Sequence, residues 1–258
     1  MAAVARVVFP TLADNVHLRE IAALFGGTLA VPPGSLPPHR HILFLCFTNR
    51  SGSNLLADAL HATGRINLAG ELLNHDQVAA DTRRHGHGSF AAFLAAQMRW
   101  RMIGGRFAVK IATAHLELLG RAGVLDQCRD TARYVFIERA DRLGQAISAE
   151  IAWQTGQWSS RVTVEMAPDR LRFDAGRIAG RIAAFAEDNR GWDIFFGRNG
   201  IVPVHVLYED LVADPARAVR AVGAALGLEG LALDPARLTL QRQAGALNQR
   251  WRELFLAG

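Results

Sequence analysis

Two short segments carry most of the side chains in this chain that could do chemistry. The first is Asn49-Arg50-Ser51-Gly52-Ser53-Asn54, which follows the apolar run HILFLCFT and leads into LLADALHATG. Gly52 lets the backbone turn closely, successive N–H groups can point inward, and a helix starting there adds its positive N-terminal end. Ser51, Ser53 and Asn54 add side-chain donors and Arg50 adds a full positive charge, so the loop suits a phosphate or sulfate group. The other reading is a plain strand-to-helix turn capped by Ser51 or Ser53. A Walker A loop is excluded, because Ser53 rather than Lys follows Gly52 and no glycine stands five positions earlier. The second segment is YVFIERADRLGQAISAEIAWQTGQW, residues 134–158. It puts Arg139 just past a strand and Gln145 and Ser148 on the helix that follows. Arg139 and Ser148 can both grip an anion if the loop folds back; otherwise they are a surface cation and a helix hydroxyl.

Other candidates are weaker. Lys110 is the only lysine and falls inside the strand pattern RFAVKIA, where a charge is costly unless it reaches a pocket or a surface ion pair. His75, Asp76, His85 and His87 lie in a Gly-rich polar stretch whose His-Gly-His spacing is poor evidence for a metal, so a mobile loop and no metal are expected. Trp158 can stack on a sugar or a base, or serve as a rim aromatic.

The elements that must position these residues follow from pattern. Residues 1–40 read as an N-terminal extension: a short strand at Val7–Phe9, a helix capped by Asn15, and a stiff connector, VPPGSLPPHR. From His41 to the end, strand-like apolar runs alternate with helical ones, ending in IVPVHVLY and the helices DPARAVRAVGAAL and DPARLTLQRQ. This predicts an α/β fold of residues 41–258: a three-layer, P-loop-like domain with a central, mostly parallel sheet flanked by helices. Ligands in such sheets bind beyond the carboxyl ends of the strands, which points to the loops after Thr48, Ile111 and Glu138.

Composition sets the outer limits. With 258 residues, half of them apolar, the chain can bury a full core without disulfides or a structural metal. No run of eighteen apolar residues occurs, the first residues make a poor signal peptide, and Cys46 and Cys128 lack CxxC spacing, so a cytoplasmic protein with reduced thiols is expected. The net charge of +5 comes from 29 Lys and Arg against 24 Asp and Glu. The cations are scattered, without a nucleic-acid motif, which disfavours DNA or RNA as partner and leaves an anionic small molecule.

RSGSNLL and the GELL segment, together with ERADRLGQAISAEIAWQTGQW, resemble the bacterial trehalose-sulfotransferase-like family, over roughly residues 41–252. The resemblance implies sulfuryl transfer from 3′-phosphoadenosine 5′-phosphosulfate (PAPS) to a hydroxyl of a carbohydrate, glycolipid or other small metabolite. It implies that Arg50, Ser51, Gly52, Ser53 and Asn54 hold the phosphosulfate, and that Arg139 and Ser148 hold the 3′-phosphate. It also implies that Glu71 is the base, that Lys110 lies near donor or acceptor, that no metal takes part and that the chain forms a homodimer. Asn54 stands where the family has Thr, and Leu72-Leu73 replace two aromatics, so trehalose itself is not implied as acceptor. Two rival readings are a P-loop-like nucleotide-dependent kinase and a non-catalytic nucleotide-binding protein.

Overall fold

The structure, a computed structural model, describes residues 6–158, 170–239 and 245–258. Its centre is β1, His41–Phe47, whose last six residues are buried because helices cover both faces of the sheet. The sheet has five strands in the order β2-β3-β1-β4-β5, with β2 at Leu68–Ala69, β3 at Arg106–Ile111, β4 at Ala132–Glu138 and β5 at Val204–Leu207. Every pair is parallel, and Phe44 of β1 lies opposite Val109 on one side and Tyr134 on the other.

Strand alternation sorts the core into two layers. Ile42, Phe44 and Cys46 pack with residues of α3 (His75–His85), α4 (Phe90–Arg101), α5 (Thr113–Arg121) and α8 (Ala175–Asn199). Leu43, Leu45 and Phe47 face α2 (Ser53–His61), α9 (Tyr208–Ala213) and α10 (Pro215–Ala225). A third cluster joins α7 (Arg142–Thr155), α8 and α11 (Ala246–Leu256), and Trp251 is α11's buried contribution to it. The three-layer α/β architecture expected from the alternating pattern is the one observed.

The strand order reverses between β1 and β4: after β1 the chain moves toward β2, and after β4 it moves toward β5. Loops leaving the two strands therefore diverge and open a crevice at their carboxyl ends. α8 braces that point. Asn189 accepts a hydrogen bond from Thr48 Oγ1 at 2.6 Å and donates to Glu138 at 3.2 Å, while Trp192 Nε1 donates to the Phe47 carbonyl at 3.3 Å.

Several local expectations change. Val7–Phe9 form no strand; Val7 and Val8 bond instead to the side chains of Asp126 and Asn199. The helix capped by Asn15 is present as α1, Val16–Leu24, but it is laid against the domain and buries Ile21 completely. β5 is shorter than IVPVHVLY suggests, since Pro203 has no N–H to give a ladder and Tyr208 already begins α9. DPARLTLQRQ yields a single 3-10 turn at Pro235–Arg237, and residues 240–244, with Arg242, lie outside the described residues. His75–His85 is helical rather than a loop: Asn74 caps its start, with a side chain that accepts from Asp76 N–H, and left-handed Gly86 ends it. Among the described residues no helix is long and apolar enough to cross a membrane.

Candidate active site

The loop after β1 is shaped by two left-handed residues. Arg50 has φ 62°, alone among the described non-glycine residues in that region, and Gly52 has φ 96°. The Ser51 N–H bonds to the Thr48 carbonyl at 3.1 Å, closing a tight turn that puts Arg50 in a position normally left to glycine. Gly52 is required for a further reason: a Cβ there would lie 2.4 Å from Cδ2 of Tyr208. Ser53 opens α2, so N–H groups and the positive helix end converge on one point.

The loop after β4 closes over the same point. Glu209, next to Tyr208, accepts from the backbone N–H groups of Ala140 and Asp141 at 3.1 and 3.2 Å. Asp141 caps α7 and holds the side chains of Arg139 and Arg252, the latter reaching across from α11. Burial works to raise the Asp141 carboxyl; the bonds from Arg252 and Gly144 N–H, with the nearby Arg139 charge, outweigh it and hold the group below the usual range. Gly144 is needed for this approach, because a Cβ would meet Asp141, Arg139 and Arg252 at 2.1–2.8 Å. Arg139 lies over the Tyr208 ring at 4.7 Å, so this aromatic braces both loops.

The two segments singled out in the sequence touch directly. Arg50 Nε donates to Ser148 Oγ at 2.9 Å, its Nη1 donates to the Trp158 carbonyl at 2.8 Å, and Gln145 of the same helix donates to the Asn49 carbonyl at 2.8 Å. Burial and the repulsion of Arg139 both lower the Arg50 pKa, because two guanidinium groups are crowded together with little water between them.

On the other side of the loop, Lys110 is buried, its side chain 2% exposed, with its ammonium 2.6 Å from Asn54 Oδ1 and 3.1 Å from Glu71 Oε1. Its Nζ also lies 4.5 Å from the centre of the Phe47 ring. Burial lowers its pKa and Glu71 opposes that shift. Asn54 thus supplies its carbonyl to a buried cation while its NH2 donates to the Trp158 carbonyl at 3.5 Å.

These groups enclose a cavity of about 580 Å³, within the range of small-molecule sites. Arg50, Gly52, Ser53, Asn54, Glu71, Arg139, Ser148 and Trp158 line it, while Ser51 and Lys110 stand behind the lining. Two buried polar atoms there have no partner, Ser51 Oγ and Arg139 Nε. Both suit an incoming oxyanion, since a buried donor left unpaired is costly. The indole of Trp158 is 44% exposed at the rim. Of the histidine stretch, only His75 comes near the cavity, through His17. His85 and His87 sit at the other end of α3, beside Asp81 and Trp100.

Tyr208, Glu209, Arg252, His17 and His115 are missing from the sequence-based candidates. Tyr208 and Glu209 did have a local signal, a Tyr-Glu pair at the end of strand IVPVHVL. Arg252, His17 and His115 had none, because each comes from an element that only the fold brings to the cavity.

Comparison with known proteins matches residues 79–257 to the Stf0 sulphotransferase family model. The chain is 30% identical over 142 residues to a trehalose 2-sulfotransferase of Mycobacterium tuberculosis (strain ATCC 35801 / TMC 107 / Erdman), covering 53% of this chain and 50% of that protein. It is 30% identical over 146 residues to a trehalose 2-sulfotransferase of Mycolicibacterium smegmatis (strain ATCC 700084 / mc(2)155), covering 52% and 51%. The matched stretch thus spans about half the length of these curated relatives. With more than half of its residues matched by the family model, the chain belongs to the Stf0 sulphotransferase family.

Proposed function

We propose that this protein transfers a sulfuryl group from PAPS to a hydroxyl of a small molecule or glycan. The observation that carries the reading is Arg139, whose buried Nε has no partner, at a cavity also lined by Arg50 and Arg252, with the unpartnered Ser51 Oγ buried just behind that lining. Among the described residues that line the cavity, three arginines, Arg50, Arg139 and Arg252, face two carboxylates, Asp141 and Glu71, and the Lys110 ammonium stands behind the lining beside Glu71. That imbalance favours a polyanionic ligand. Arg50, the N–H groups of residues 51–54 and Ser53 would hold the phosphosulfate, and Arg139 and Ser148 the 3′-phosphate. Trp158 offers a flat surface to a base or a sugar.

The donor supplies an activated S–O bond. In transfer, the acceptor oxygen forms a bond to sulfur as the bond to the phosphate oxygen breaks, and the hydroxyl proton goes to Glu71. Lys110 orients Glu71 through its 3.1 Å contact and places a positive charge beside Asn54, where negative charge builds up during transfer. Arg50, held between Ser148 and the Trp158 carbonyl, is preorganised for the leaving phosphate and needs no large movement to act.

Thermal shift with 3′-phosphoadenosine 5′-phosphate (PAP), PAPS and ATP tests the donor. Stabilisation by PAP and PAPS above that by ATP is expected; stabilisation by ATP alone sinks the reading in favour of a kinase. Glu71→Gln should keep PAP binding and lose turnover, whereas Arg139→Ala should lose PAP affinity. Full turnover by Glu71→Gln would remove Glu71 as the base.

A further inference from the structure

Next to Glu71 the cavity wall is built from histidine. His17 and His115 line it, and His75 stands behind His17. The His17 ring lies 4.9 Å from His115 and 5.0 Å from His75, centre to centre. Among the described residues no group of three or more His, Cys, Asp or Glu side chains is arranged to hold a metal ion. The rings are instead tilted against one another, with neutral hydrogen-bonding roles set by the backbone.

Those roles can be read from the donors. The Ala112 N–H bonds to His115 Nδ1 at 3.0 Å, so the neutral ring carries its proton on Nε2, which is buried and has no partner. The His75 N–H likewise bonds to His17 Nδ1 at 3.2 Å, and His75 Nδ1 lies 3.0 Å from the same atom. His17 Nδ1 is therefore an acceptor and the His17 proton sits on Nε2. Both rings stay neutral. Burial lowers His115 to about 3, and burial followed by His75 lowers His17 against the opposing pull of Glu71 and Asp76. The titratable groups facing His17 are thus His75 and Asp76 from α3, Glu71 from the loop after β2 and His115 from α5.

His17 is also firmly placed. Asn15, two residues earlier, caps α1 and donates to the Ala114 carbonyl at 2.9 Å and to Glu117 at 3.0 Å. Glu117 is buried in α5 and accepts from Leu12 N–H and from Arg121 as well. A segment ahead of the first strand is thereby tied to the helix that carries His115.

We propose that His17, brought to the cavity by α1, is an acceptor-binding residue that donates its Nε2–H to a substrate hydroxyl beside Glu71. The proposal rests on the sulfuryl-transfer reading, and it assigns the residues before β1 a part in the acceptor site. With the donor held by Arg50 and Arg139, loss of His17 should affect the acceptor alone.

The test uses the full chain. Trehalose, glucose and 2-naphthol serve as hydroxyl probes with PAPS, in parallel with 15N-histidine NMR of the PAP-loaded protein. The proposal expects a probe to shift the His17 Nε2–H resonance. For that probe His17→Ala should raise the acceptor KM at least tenfold, with PAP affinity within twofold of the parent, and His17→Asn, which keeps an N–H donor, should restore part of the loss. Unchanged acceptor KM in His17→Ala, an equal loss of PAP affinity, or a His17 resonance indifferent to every probe would overturn it. If PAP fails to bind, the donor reading falls, and the NMR response to the probes alone still decides the role of His17.

Discussion

Gly52→Ala tests the geometry of the loop proposed to hold the donor. At φ 96° an L-residue is strained, at about 1–2 kcal/mol. The new Cβ would also stand 2.4 Å from Tyr208 Cδ2, and a shift of the Tyr208 ring would disturb its contact with the guanidinium of Arg139, 4.7 Å from the ring centre. Overpacking of this kind adds about 1–3 kcal/mol. A total near 3 kcal/mol corresponds to a drop in Tm of about 6–12 °C for a chain of this size. Thermal denaturation with and without PAP is the assay: the variant should melt lower and gain little from PAP, since relief of the clash displaces the residue that braces both loops. The two contributions separate in a Tyr208→Ala background, where only the backbone strain remains and the cost of Gly52→Ala should fall to about 1–2 kcal/mol. An identical cost in both backgrounds, or a Gly52→Ala protein that melts and binds PAP like the parent, would refute the idea that Tyr208 packs on this loop.

Three further outcomes are expected. Lys110→Met keeps the buried stem and removes a costly charge, and the Glu71 carboxylate it leaves is 43% exposed to water, so the variant should melt at or above the parent at neutral pH while losing at least tenfold in transfer. Because the Lys110 pKa is lowered on folding, the parent gains stability as pH rises toward the ordinary lysine value of about 10.5, and the thermal advantage of Lys110→Met should shrink over that alkaline range. His115, with a pKa near 3 in the folded state against 6.5, binds its proton more readily when unfolded. The parent should therefore lose stability as pH falls from about 6.5 to 3, by about 1.4 kcal/mol per unit, and denaturant titrations of His115→Gln should show a slope smaller by that amount. Glu150, fully buried between Arg177 and Arg181 on the α7–α8 contact, should cost about 3 kcal/mol when changed to Gln, seen as a lower denaturation midpoint.

The parts of this molecule that the sequence makes legible are those whose signals are local. The apolar run before Asn49 marks a strand buried on both faces, Asn15, Ser89 and Asp141 sit at helix starts where their side chains accept from the first-turn N–H groups, and the loop at residues 49–54 already holds its donors in chain order. Arg139 and Ser148 are legible as residues of one strand-end loop and the helix it starts, and both line the cavity. The reading failed where a boundary depends on competition. A helix formed over His75–His85 since Asn74 and Gly86 supply both caps, although the composition between them is polar and suggests a loop.

What the sequence alone determined is thus the alternation of strands and helices and the chemistry of each strand-end loop, because both depend on neighbours within a few positions. Only the tertiary structure decided that Arg50 bonds to Ser148, that Lys110 reaches Asn54 and Glu71, and that Tyr208 braces the two loops. It also decided that a histidine from ahead of the first strand completes the wall beside Glu71. The physical reason is the sheet order. Placing β1 between β3 and β4 brings together the ends of strands far apart in the chain, and no periodicity in the sequence states which strands will be neighbours.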